Sequence, residues 1–138
     1  RDLFGDRPNS EGLDLNDREV LERTRRATTR PHPGLIARGV EVSAEQVGDA
    51  IRRAQAAFEG WSATPVEHRA AVLDRLADLL EERREELMAL LVQEAKKTIP
   101  DALGEVREAA DFCRYYARRA RETLAPEELP GPTGERNT

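Results

Sequence analysis

Cys113 is the single thiol of the chain, and it stands in a run, EVREAADFCRYYARRA (105–120), that also holds both tyrosines. A thiol attacks carbon or binds a soft metal only as the thiolate. That form needs an electropositive, partly exposed setting, often at a helix N-terminus. Cys113 has Ala110 and Ala117 on its own helical face, three and four residues away. That spacing predicts a small, inert hydrophobe in mid-helix. Glu108 is the odder residue. Helical spacing sets it in a second row with Gly104, Phe112 and Tyr115, a carboxylate between a glycine and two aromatics. Two readings stand open for it. It faces a pocket, or it is a rim carboxylate paired with Arg107 or Arg114 and worth less than about 1 kcal/mol. His32 and His68 are the only histidines. Neither has a thiolate or carboxylate at ligand spacing, so no metal site is expected.

Helices are the elements that must position these groups. Hydrophobic residues make up 38% of the 138, charged residues 36% and aromatics 4%. A core must then come from Leu, Val, Ile and Ala, which favours a mostly α chain over a β-sandwich. The net charge of −5 argues against a nucleic-acid surface, which needs clustered cations to displace counterions. The local exception is RTRRATTR (23–30), read as a solvated, poorly ordered segment. A nucleic-acid function would rest on Arg23, Arg25, Arg26 and Arg30 alone. One cysteine excludes an internal disulfide. No apolar run reaches the ~20 residues of a membrane span. The first residues lack the apolar stretch of a secretory signal. The chain therefore reads as cytoplasmic, with no transmembrane segment.

Three regions are expected. Residues 1–39 read as an irregular connecting segment. LNDREVLERTRRA within it predicts a short helix capped by Asn16 or Asp17, RPHPG breaks that helix, and LIARGVEV suggests a short strand. Residues 40–124 read as helical. Ser43 and Gln46 form a capping-box pattern. Val47, Ala50, Ile51, Ala54, Ala57 and Phe58 follow at helical spacing, and Gly60 is expected to end that helix. TPVE opens the next, with Thr64 as N-cap, Pro65 first and Glu67 third. Its apolar face is Val66, Leu73, Leu76, Ala77 and Leu80. EERREE (81–86) is either an exposed stretch of one long helix or a joint between two. After KKTIPDA a last helix is expected over about 100–123. Its stripe of Leu103, Val106, Ala110, Cys113, Ala117, Ala120 and Leu124 alternates steps of three and four and should be buried. Residues 125–138 are turn-rich. The expected architecture is four or five helices with irregular ends. The start at Arg1 and the closing LPGPTGERNT suggest part of a longer protein.

The helical run AEQVGDAIRRAQAAFEGWSATPVEHRAAVLDRLADLLEERREELMALLVQEAKKT resembles the N-terminal helices of the aldehyde dehydrogenase superfamily. IPDALGEVREAADFCRYYARRA and LPGPTGERN are similar to the Δ1-pyrroline-5-carboxylate (L-glutamate γ-semialdehyde) dehydrogenase module of the bifunctional proline utilization A flavoenzymes. RDLFGDRPNSEGLDLND resembles the segment joining that module to the proline dehydrogenase part. The resemblance implies a piece of an α/β aldehyde dehydrogenase fold and an NAD-dependent oxidation of the semialdehyde to glutamate. It implies that NAD binds a Rossmann-type domain outside these residues, and that the nucleophilic cysteine and general-base glutamate also lie elsewhere. Cys113 is then not the nucleophile, and this chain holds no catalytic, cofactor or metal residue. Alone it should be inactive. FAD would belong to the adjoining proline dehydrogenase part. The implied partner is the remainder of the domain, and the isolated chain should self-associate. In the semialdehyde-oxidising branch a glutamate seven residues before the first tyrosine lines the aldehyde tunnel. Here that position is Glu108. Two departures stand out: Lys97 in AKKT replaces the family's glycine, and residues 30–43 are short of its first strand region. The alternative to an enzyme is a free-standing helical interaction module or a degenerate paralogue without catalysis.

Overall fold

Residues 8–30, 41–124, 129–134 and 136–137 are described by the computed structural model. The expected strand in LIARGVEV, the break at RPHPG and most of the shortened 30–43 region lie outside the described residues. The helices are α1 (Arg18–Thr29), α2 (Ala44–Ser62), α3 (Val66–Glu82), α4 (Arg84–Gln93) and α5 (Ile99–Thr123). Short strands β1 (Leu129–Pro130) and β2 (Arg136–Asn137) pair antiparallel. The turn-rich segment thus forms a tight hairpin. Gly134 takes φ of +85° there, and its N–H points to the Gly131 carbonyl at 3.4 Å.

Local chemistry explains each start and stop. Asp17, not Asn16, caps α1, its carboxylate accepting from the Glu19 and Val20 amides. The basic run 23–30, expected to be poorly ordered, is helical through Thr29. The reason is a buried threonine face: Thr24 and Thr28 are both enclosed, and their hydroxyls donate to the carbonyls of Val20 and Thr24. A hydroxyl satisfied inside its own helix costs little to bury. The capping box of Ser43 and Gln46 is present in full at the head of α2.

Two expected boundaries differ. Gly60 does not end α2, which runs to Ser62. Helix propensity at one glycine costs only about 1 kcal/mol, whereas Pro65 removes a donor and sets the true stop. Thr64 is not the N-cap of α3. Its hydroxyl turns back to the Gly60 carbonyl at 3.0 Å, so Pro65 occupies the cap position without a side-chain bond. EERREE is a joint: α3 ends at Glu82, Arg83 leaves helical geometry, and α4 begins at Arg84.

The turn after α4 corrects the placing of the missing glycine. The left-handed residue is Lys96, with φ of +57°, not Lys97. Its backbone lets the Lys97 amide return to the Leu91 carbonyl at 3.2 Å. A side chain at this φ costs roughly 1–2 kcal/mol that glycine avoids. Lys96→Gly should therefore raise stability by about 1 kcal/mol, a melting shift of roughly 4 °C, even though the Lys96 ammonium contact to the Gln93 carbonyl is lost. An unchanged or lower melt would show that this contact outweighs the strain.

The core sits where α4 meets the first half of α5. Met88, Ala102, Leu103 and Val106 are buried there, with Leu13 and Leu15 packed on them from the N-terminal segment. That segment is irregular but anchored. The Ser10 amide donates to Asp111 at 2.7 Å and the Glu11 amide to Glu81 at 3.1 Å. Gln93 ties the end of α4 to the end of α1 by donating to the carbonyls of Thr28 and Arg30. α3 and α5 lie antiparallel. Ala70 and Ala77 on α3, with Ala110 and Ala117 on α5, are fully buried, and small side chains allow close helix approach. The α5 stripe is buried from Leu103 through Ala117 save for the half-buried Cys113, while Leu124 is exposed. No described helix is long and apolar enough to cross a membrane.

Candidate substrate-facing row on α5

Helix α5 is set by its first turn. The Thr98 hydroxyl oxygen accepts from the Asp101 amide, and its hydroxyl donates to the Asp101 carboxylate at 2.7 Å. Pro100 stands in the first turn, where its missing N–H is not needed. The stripe facing α3 and α4 then fixes the helix's rotation. The opposite row of Gly104, Glu108, Phe112 and Tyr115 is left outward.

That row is open. A Cβ at Gly104 would meet no atom within 4 Å among the described residues. Phe112 and Tyr115 are about half exposed, at 51% and 45%. Tyr116 joins them, its ring edge-on to Tyr115 at 5.2 Å and tilted to Phe112 at 6.1 Å. Three rings in edge-on and tilted contact therefore form a wall at the C-terminal side of Glu108. The glycine leaves space at its N-terminal side.

Glu108 pairs with neither arginine proposed for it. Arg114 points to the α3 side, 3.4 Å from both Asp78 and Glu81, and its side chain is only 11% exposed. The Arg107 guanidinium lies along the N-terminal segment, 3.5 Å from where a Gly12 Cβ would stand. The charge near Glu108 is Lys97, which contacts Glu105. Lys97 is held above the usual ammonium range by its bond to Glu105, against a smaller burial cost, with Asp101 and Glu108 adding attraction. No local pattern marks this cluster, because Lys97 precedes the start of α5 and Glu108 lies within it.

Cys113 is half-buried and free. Burial pushes its thiol up, and the nearby Arg114 charge only partly offsets that. A raised thiol is mostly protonated at neutral pH and is a poor nucleophile. No cluster of His, Cys, Asp or Glu suited to a metal exists among the described residues. His68 lies on α3 beside Val72 and Leu76, and His32 falls outside the described residues.

The row is braced from behind by ion pairs invisible to local pattern. Arg121 near the end of α5 reaches both Glu67 and Asp74 of α3 at 2.8 Å. Glu81 receives Arg114 and the Glu11 amide. Burial raises the Glu81 carboxyl, but the adjacent Ser10 hydroxyl, which lacks a well-formed bond, Arg114 and the Glu11 amide together hold it below the usual carboxylate range. A folded-state pKa below the unfolded one gives stability that is full above the unfolded value and lost as pH falls through the folded one. Melting temperature should therefore drop as pH is lowered through and below the usual carboxylate range. Glu81→Gln should lower the melt at pH 7 and flatten that acid slope. An acid slope unchanged in Glu81→Gln would show that other carboxylates carry it.

Similarity to known proteins fits this geometry. The model of the aldehyde dehydrogenase family matches residues 21–138. Bifunctional protein PutA of Salmonella typhimurium is 42% identical over 88 residues, 64% of this chain and 7% of that protein. The 1-pyrroline-5-carboxylate dehydrogenase 2 of Bacillus subtilis is 40% identical over 103 residues, covering 75% of this chain and 20% of its own length. A crystal structure of bifunctional proline utilization A matches 98% of this chain at TM-score 0.87 and 42% identity, over 14% of that chain. The chain thus spans a fifth or less of each of these relatives. The resemblance expected from the helical run 44–98 is borne out: the chain belongs to the aldehyde dehydrogenase family.

Proposed function

We propose that this chain supplies the N-terminal helices of an NAD-dependent L-glutamate γ-semialdehyde (Δ1-pyrroline-5-carboxylate) dehydrogenase of proline catabolism, acting in the cytoplasm. The observation that carries the reading is the 42% identity to proline utilization A across 98% of the chain. In this reading residues 1–39 connect to an adjoining part, 40–124 form the helical layer, and 125–138 lead into the cofactor domain. The reaction converts the aldehyde and water to the carboxylate, with NAD taking the hydride. Among the described residues no strand leads into a glycine-rich turn and helix, the arrangement that cradles a pyrophosphate. No residue here is assigned to NAD, and FAD would belong to the adjoining proline dehydrogenase part.

What this chain contributes is one wall of the substrate path. Glu108 offers two acceptor oxygens to a polar substrate group or to a water beside the aldehyde. Phe112 and Tyr115 flank it with apolar surface, and Gly104 keeps the approach open. Arg114 and Arg121 hold α5 on α3, so the carboxylate is presented from a rigid helix.

The test joins this chain to the rest of an aldehyde dehydrogenase domain and follows NADH formation. The semialdehyde of glutamate should be oxidised at least tenfold more efficiently than that of succinate, and the 138-residue chain alone should form no NADH. Preference for the succinate semialdehyde would overturn the substrate assignment. A joined polypeptide with no turnover would favour a helical interaction module.

A further inference from the structure

The irregular segment before α1 is held by side chains of two helices. Two successive amides are each gripped by a carboxylate. The Ser10 N–H donates to Asp111 of α5 at 2.7 Å, and the Glu11 N–H to Glu81 of α3 at 3.1 Å. Ser10 is only 3% exposed there. At the next residue the Arg107 guanidinium of α5 lies 3.5 Å from where a Gly12 Cβ would stand. Leu13 and Leu15 then pack on the core. Arg107 and Asp111 are one turn apart and bracket Glu108 along the helix axis. At about 100° per residue they stand about 100° and about 60° round the helix from Glu108, on the same side. The segment is therefore laid along the flank of α5 that borders the outward row, at the level of Glu108. The ion pairs to α3 grip α5 further on, at Arg114 and Arg121.

We propose that Asp111 is a positioning residue for the oxidation: its bond to the Ser10 amide, with Arg107 packed at Gly12, clasps the N-terminal segment against α5 and fixes the direction in which Glu108 is presented. The proposal rests on the reading given under Proposed function, in which Glu108 meets the substrate. A carboxylate bound to a backbone N–H makes a short, charge-assisted and directional bond, and the Ser10–Asp111 distance is of that class. The bond is also enclosed at Ser10, so water does not replace it without cost. Opening it leaves a buried N–H without this acceptor and loosens the flank beside Glu108. A group that must meet a reacting centre in near-attack geometry loses much of its effect when its helix shifts by as little as about 1 Å. Asp111 grips the segment and stands apart from the row, so it acts through Glu108.

The test uses the chain joined to the rest of an aldehyde dehydrogenase domain. It follows kcat and KM on the semialdehydes of glutamate and of succinate, with thermal melts alongside. Asp111→Ala removes the acceptor, and Ser10→Pro removes the donor from the other side of the same bond. Each should lower kcat on the preferred semialdehyde at least fivefold while KM moves less than twofold. The two together should lower it no further than either alone, because they break one interaction. Asp111→Asn keeps an acceptor oxygen and should stay within twofold of wild type. In a Glu108→Ala background, Asp111→Ala should cost nothing more. Gln93→Ala, which unties α4 from α1, should lower the melt and leave kcat unchanged. Wild-type kinetics in both Asp111→Ala and Ser10→Pro would overturn the proposal. So would a loss in Asp111→Asn equal to that in Asp111→Ala, a full further loss from Asp111→Ala in the absence of Glu108, or an equal kcat loss in Gln93→Ala. Preference for the succinate semialdehyde would remove only the substrate reading, with the clasp still scored on that aldehyde. A joined polypeptide without turnover on either would remove both.

Discussion

Glu108→Ala in the joined dehydrogenase is expected to lower kcat/KM for glutamate semialdehyde at least tenfold while the thermal melt hardly moves. Tenfold corresponds to about 1.4 kcal/mol of transition-state stabilisation. A hydrogen bond from a carboxylate to a polar group in a site shielded from water is worth that much or more. The melt should stay because Glu108 carries no structural pair among the described residues. Its two candidate partners are engaged elsewhere, Arg114 with Asp78 and Glu81 and Arg107 against the N-terminal segment. Lys97, which feels the Glu108 charge, keeps Glu105. Glu108→Gln separates charge from shape. It should restore activity if the side chain only accepts a hydrogen bond, and should not if the negative charge is needed. Kinetics unchanged in Glu108→Ala would remove the residue from the substrate path.

Met88→Ala should destabilise the chain by about 2–5 kcal/mol, the range for emptying a buried methionine site. Met88 is fully enclosed, packed on Ala102, Leu103 and Val106 with Leu13 and Leu15 alongside. Two of its buried neighbours are small or β-branched and cannot swing in to fill the space. A domain of this size has only about 5–15 kcal/mol in hand, so the loss is a large share of the total. Chemical denaturation should show the midpoint falling with an unchanged slope. Because Leu13 and Leu15 share this core, the N-terminal segment should loosen with it, read as faster hydrogen exchange at Ser10 and Glu11. A loss under 1 kcal/mol would mean the neighbours collapse into the cavity.

The elements were legible in the sequence because their signals are local. Ser43 with Gln46, Asp17, and the three–four stripe from Leu103 to Ala117 each act within a few residues. The sequence also set Cys113 on the stripe that turns to the core and Glu108 on a row apart from it. Errors fell where a weak local signal met a stronger one. Gly60 yielded to Pro65, and the basic run 23–30 was ordered by threonines that bury against the fold. The turn that the family closes with glycine falls at Lys96, where the backbone is left-handed, and not at Lys97.

Tertiary structure alone decided which faces are covered. A sequence stripe shows that a helix has an apolar side, not what lies against it. The stripes of α2 and α5 look alike as sequence, yet α5 is buried on α3 and α4 while α2 is bare. The pairs that fix α5 join residues 33 to 54 positions apart, such as Arg114 with Glu81 and Arg121 with Glu67. Helical periodicity repeats every 3.6 residues and carries no information at that range. Whether Glu108 pairs with Arg114 depended on where that guanidinium turned, and that was set by Asp78 and Glu81 on α3.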